Sequence, residues 1–150
     1  MVQNKQIYRA HTIGIAHCNS FSERLYNFTG KGGPGDADPS LDKAYAANLR
    51  RTKCTTPADN TTIVEMDPGS FLTFDLGYYR GLLKHRGLFQ SDAALITDAA
   101  AKANIASVLA SPPEVFFQVF ARSMVKLGMV DVKTGSEGEI RRHCALVNHY

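Results

Sequence analysis

The sequence predicts an all-α protein, and three observations predict it. Apolar residues recur at helical spacing in most of the segments that carry them. The stretch from about Asp98 to Leu109 is rich in alanine, the residue with the strongest intrinsic helix preference. A strand pair is conceivable only near Cys144–Val147. With 150 residues, 44% of them apolar and 21% charged, the chain can bury one core and lacks the composition of a disordered segment. It shows no internal repeat and no second domain.

In order along the chain, Ser20 to Phe28 carries Phe21, Leu25 and Phe28 in a short amphipathic segment. Gly30 to Pro39, with four glycines and two prolines, reads as a loop. Ser40 is placed to cap a helix running to about Arg51, with Leu41, Tyr45 and Leu49 on one face. Cys54 to Gly69, rich in Thr, Pro, Asp and Asn, should be irregular. Leu76 to Arg86 reads as a helix that Gly87 ends at its C′ position, and Ser91 can cap a short helix from Asp92. The alanine-rich helix follows. Ser111-Pro112-Pro113-Glu114 resembles a capping box with proline at the first helical position. The helix that it opens runs to about Leu127, with Val115, Phe116, Val119, Phe120, Met124 and Leu127 expected to face a core.

Charge excludes some partners. The net charge is +3, and apart from Arg50-Arg51 and Arg141-Arg142 the basic residues are dispersed, so no stripe for a phosphate backbone exists and nucleic acid is not an expected partner. No apolar run approaches the roughly 20 residues needed to cross a bilayer, so no membrane partner is expected. The start, Met1 to Gln6, is polar and lacks the apolar stretch of a signal peptide. Asn27-Phe28-Thr29 and Asn60-Thr61-Thr62 read as glycosylation acceptors, weak support for secretion.

Three cysteines, Cys18, Cys54 and Cys144, show no CxxC spacing, which argues against a zinc ribbon or a thioredoxin-like site. An odd count leaves one thiol over; free buried thiols are the alternative to any bridge. Among the histidines (His11, His17, His85, His143 and His149) no pair lies at i, i+4, so a His–His metal clamp on one helix is unsupported.

His11-Thr12-Ile13-Gly14-Ile15-Ala16-His17-Cys18 resembles the proximal-histidine motif of class III plant secretory haem peroxidases. The resemblance continues through Phe21 to Phe28 and Asp38-Pro39-Ser40-Leu41. It resumes at Phe74-Asp75 with Tyr78-Tyr79, at Gly87-Leu88-Phe89-Gln90-Ser91-Asp92, and from Gly135 to Cys144. It covers His11 to Asn148 in the family's order and near its spacing. The fold it implies is the C-terminal half of the plant haem-peroxidase helical fold, truncated: residues 11–150 as the proximal part, with 1–10 a leader unlike the family.

The resemblance implies haem b held by His11 as the axial ligand, with Asp92 accepting from the other ring nitrogen. First-turn charge on a helix is the plainer reading of Asp92. It also implies a calcium ion held by side-chain oxygens of Thr12, Asp67, Ser70 and Asp75 and by the backbone carbonyl of Thr73. Oxygen donors of this kind suit a hard cation. Cys18 and Cys54 match a family disulfide, and Cys144 matches a cysteine whose partner lies in the N-terminal half. By family, the activity is oxidation of small phenolic donors by hydrogen peroxide, outside the cell or in the vacuole. The family's distal Arg…Phe-His-Asp-Cys signature, which cleaves the peroxide, has no match here. The expectation is therefore a chain inactive alone, with a missing N-terminal half as its partner. The alternative is a non-catalytic calcium-binding helical fragment.

Overall fold

The computed structural model describes residues 11–33 and 35–149, so the expected leader over residues 1–10 lies outside the described residues. The elements are β1 (Ile15–His17), a 3-10 turn (Cys18–Ser20), α1 (Ser22–Tyr26) and α2 (Lys43–Thr52). After them come β2 (Ile63–Glu65), α3 (Gly77–Leu83), α4 (Gln90–Thr97), α5 (Ala99–Leu109) and α6 (Pro113–Gly128). The helical class is as expected, and the strand pair is elsewhere. β1 and β2 pair antiparallel with Ala16 opposite Val64, both buried. Each strand has three residues, too short to leave a period-two signal. Near Cys144 the backbone is instead engaged by side chains: Arg141 donates to the Cys144 carbonyl, and Asn148 bonds to Arg142 N–H and the Ile140 carbonyl.

The helix ends differ from expectation in instructive ways. The cap of α2 is Asp42, whose carboxylate accepts from Tyr45 N–H at 2.8 Å; the Ser40 hydroxyl is turned to Asp38. α3 stops before Gly87. His85 takes the left-handed conformation at φ 58°, Arg86 N–H returns to Gly81 O and His85 N–H to Leu82 O, which closes a Schellman ending without a glycine. Ser91 lies inside α4, which begins one residue earlier and has Phe89 as its cap. Asp98 caps α5 through Ala101 N–H. Pro113 opens α6 without a side-chain cap, because the Ser111 hydroxyl donates to Ser107 O.

Two buried clusters result. The first gathers Phe21, Leu25, Leu41, Tyr45, Leu49, Val64 and Leu88 around Cys18 and Cys54. The second gathers Tyr78, Tyr79 and Leu82 of α3, Ile105 and Val108 of α5 and Phe116 of α6. Met66, half-buried, packs against both. α6 departs most from expectation. Only Phe116 of its apolar residues is fully buried, Val119 and Phe120 are half-buried, and Val115, Met124 and Leu127 are exposed. The aromatic contacts of α6 are confined to its first half, where Phe74 meets Phe116, Phe117 and Phe120.

Cys18 and Cys54 form a disulfide with Cα atoms 5.5 Å apart, closing a loop of 36 residues. In the chain-entropy account such a loop contributes about 4 kcal/mol. Cys144 is free and exposed.

The polar interior is organised by Arg24 on α1, a charged residue only 5% exposed. Its Nε donates to Asp38 at 2.7 Å, and Nη1 reaches the carbonyls of Gly87, Leu88 and Phe89 at 2.7–2.8 Å. Burial raises the Asp38 carboxyl, but hydrogen bonds from Ser40 and Arg24 outweigh it and hold the group below the usual carboxylate range. Its stabilising contribution is therefore complete above the unfolded carboxylate value, about 3.9, and is lost as pH falls through the lower folded value. Arg24→Ala, leaving Asp38 buried and unpaired, should cost about 3–5 kcal/mol in urea unfolding at pH 7. The acid limb of the stability–pH curve should flatten in that variant; an unchanged curve would contradict this account.

Candidate functional site

The site is built from the start of α3. Two adjacent tyrosines there, Tyr78 and Tyr79, are each buried and lie edge-on to one another with ring centroids 5.2 Å apart. Together they grip His11. The Tyr79 hydroxyl accepts from His11 backbone N–H at 3.3 Å, and the Tyr78 ring stacks on the imidazole at 5.0 Å and 28°. His11 itself is exposed. The Tyr78 hydroxyl donates to Asp92 Oδ1 at 2.6 Å, and Phe89 N–H donates to Asp92 Oδ2 at 2.8 Å. Burial, reinforced by the Asp92 charge, pushes the Tyr78 phenol far above its ordinary value, so it stays a donor.

Asp92 is 2% exposed, and none of the ion pairs among the described residues includes it. No hydrogen bond joins the His11 ring to Asp92; Tyr78 touches both. Both carboxylate oxygens keep a free lone pair, since each can accept twice. The close approach of this group depends on Gly87. A Cβ at that position would lie 2.5 Å from Asp92 Cβ and 2.8 Å from Leu82 Cδ2. Glycine is needed for space here, and the residue does not serve as the helix terminator expected of it.

The second group of predicted residues also converges. Thr12 is buried, and its hydroxyl donates to the Asp75 carbonyl and accepts Asp75 N–H, both at 2.8 Å. Ser70 donates to Asp67 Oδ2, and its hydroxyl lies 3.4 Å from Asp75 Oδ1. Thr73 N–H reaches Ser70 O at 2.7 Å, so Thr73 sits on the rim of the same loop. Burial pushes the Asp67 carboxyl up; the Ser70 hydroxyl opposes this and the nearby Asp75 charge adds to it. Asp67 leans into room left by Gly77, where a Cβ would fall 2.2 Å from its Oδ2. Among the described residues no three His, Cys, Asp or Glu side chains converge. The grouping here is two carboxylates with the hydroxyls of Thr12 and Ser70, oxygen donors of the kind calcium takes.

Comparison with known proteins decides the family. The family described as Peroxidase matches residues 8–111. The chain belongs to the peroxidase family. It is 59% identical over 139 residues to Peroxidase 39 of Arabidopsis thaliana, covering 93% of this chain and 42% of that protein. Peroxidase 3 of the same plant is 57% identical over the same coverage. Peroxidase 1 of Oryza sativa subsp. japonica is 54% identical over 92% of this chain and 42% of its own length. These relatives place it among the plant class III peroxidases, and the chain spans about 42% of their length.

The residues of this peroxidase chain suit the groups the family implies. One exposed imidazole is linked through Tyr78 to a buried carboxylate, with exposed apolar side chains at Ile13, Leu72 and Phe74 on the flanking segments. That combination fits an axial haem ligand, which needs only one protein donor. The two facing carboxylates fit a divalent cation. Among the described residues no helix is long and apolar enough to cross a membrane.

Two contributors escaped the sequence reading. Tyr78 was legible only as part of the resemblance, with no role assigned to it. Arg24 gave no signal, because its partners lie 14 and more than 60 positions away. Gly87→Ala should cost about 1–3 kcal/mol by overpacking, with amide exchange speeding up at the start of α4. Unaltered exchange there would show that Asp92 has room to spare.

Proposed function

We propose that this chain is the haem-bearing, proximal side of a class III plant peroxidase that oxidises small phenolic donors with hydrogen peroxide. The observation that carries the reading is the grip of Tyr78 and Tyr79 on His11 beside the buried Asp92 carboxylate. In it, His11 is the axial ligand, and Asp92 accepts the imidazole N–H with a remaining lone pair. Haem iron, when bound, supplies the oxidising chemistry. The chain's own residues aim the imidazole and hold a negative charge behind it, which makes the ligand a stronger donor.

Thr12, Asp67, Ser70 and Asp75, with the Thr73 carbonyl, hold calcium in this reading. The two carboxylates, which raise one another's energy when empty of a cation, then become its ligands. Because Thr12 follows His11 directly, the ion stiffens the segment that aims the imidazole. Placement outside the cell or in the vacuole is supported by the Cys18–Cys54 disulfide and by exposed Asn27 and Asn60 in glycosylation sequons.

Peroxide cleavage requires a proton shuttle and a cation above the open face of the haem. The family's signature for that pair has no counterpart in this sequence, so we assign this step to the remaining length of the longer relatives and expect little turnover from these 150 residues alone. The exposed apolar residues of α6 support a partner surface there. A non-catalytic calcium-binding role is the second reading, favoured because every proposed cation ligand lies within the described residues.

Two measurements test the proposal. Haem added to the purified chain should give a shifted Soret band that is absent in His11→Ala; the same band in both would remove His11 as the ligand. Calcium at about a hundredfold its dissociation constant should add about 2.7 kcal/mol of stability. That gain should disappear in Asp67→Asn and in Asp75→Ala. A calcium-insensitive melting curve for the unaltered chain would refute the cation site.

A further inference from the structure

We infer that Tyr78 is a positioning residue for the axial imidazole, setting through its hydroxyl how strongly Asp92 pulls on the His11 N–H. The inference rests on the reading of His11 as axial ligand and deepens it. Tyr78 acts through other groups on two counts. Its ring lies nearly parallel to the imidazole at 5.0 Å, which limits rotation about the bond that aims the ring. Its hydroxyl donates at 2.6 Å to Asp92 Oδ1, in a setting where Tyr78 is 3% and Asp92 2% exposed.

A hydrogen bond to a carboxylate in a dry interior is charge-assisted, and it draws negative charge toward its donor. Asp92 already satisfies Phe89 N–H through its other oxygen. Whatever charge remains is what the His11 N–H would meet. The phenol therefore competes with the imidazole for one anion, and a weaker acceptor makes His11 a weaker donor to the iron. The architecture holds this competition in place. Gly87 leaves no gap beside Asp92, and Tyr79, next on α3, fixes the His11 backbone.

The ring and the hydroxyl can be separated by Tyr78→Phe, which keeps the stack and removes only the donor. With haem added to the full chain, this variant is read against the unaltered chain. Its ferrous iron–imidazole stretching frequency should rise and its midpoint potential should fall, since Asp92 then accepts more strongly. Both shifts should be absent when Tyr78→Phe is made in an Asp92→Asn background. An unchanged frequency and potential in Tyr78→Phe would overturn the inference while leaving the axial ligand intact. The same shifts in the Asp92→Asn background would also overturn it, assigning the effect to ring packing. Loss of helical circular dichroism in Tyr78→Phe would show the hydroxyl to be a stability element and would overturn it too. A chain without a His11-dependent Soret band would end both this inference and the reading beneath it.

Discussion

One buried guanidinium orders the polar interior of the protein. Arg24 reaches from a five-residue helix to Asp38, to Ser40 and to three successive carbonyls, those of Gly87, Leu88 and Phe89. Those carbonyls precede the first turn of α4, where Asp92 stands. Without a donor, the buried carbonyls of Gly87 and Leu88 would each be left unsatisfied, a penalty of about 1–3 kcal/mol apiece, whereas Phe89 O keeps the N–H groups of Asp92 and Ala93. Asp38 neutralises the charge that makes the arrangement tolerable in a dry core. An ion pair of this kind adds little as a pair; its worth lies in the backbone that it orders. The first cluster, through Arg24, thus fixes the approach of Asp92, which bonds to Tyr78 of the second.

The legible part of this protein was what recurs locally. Apolar periodicity found α2 and α6 and alanine content found α5, each to within a few residues, while α3 ends three residues before its expected end. The candidate residues were legible by resemblance, and Thr12 with Asp67, Ser70 and Asp75 do converge. What escaped was set by contacts distant in sequence. β1 and β2 pair across nearly 50 positions and are too short for alternation to show. Gly87 looked like a helix terminator because glycine usually serves there, yet His85 took the left-handed position and left Gly87 to Asp92. Asp42 replaced Ser40 as a cap because Asp38 had already taken the serine hydroxyl.

α6 shows why a correct helix can carry a wrong inference. Its apolar residues were read as facing a core, which is what such a pattern ordinarily means. Among the described residues, Phe74 and the second cluster take up the start of α6, so Phe116 is covered while Val115, Met124 and Leu127 are not. Periodicity reports that a face seeks burial and says nothing about which part of a protein provides it. The chain spans about 42% of the length of the relatives it matches.

The two candidate sites are one mechanical unit. Thr12 is bonded twice to the backbone of Asp75, and three residues after Asp75 the chain presents Tyr78, which stacks on the residue preceding Thr12. The path from His11 through Thr12 to Asp75 and back through Tyr78 to His11 is therefore closed. Pulling Asp67 and Asp75 onto a cation would tighten one side of that ring, and the other side is the stacked imidazole. In the proposed reading, the ion and the imidazole are thus joined through one closed path of contacts. The same closure makes Gly77 consequential. Asp67 lies in the room it leaves at the start of α3, where a Cβ would fall 2.2 Å from its Oδ2.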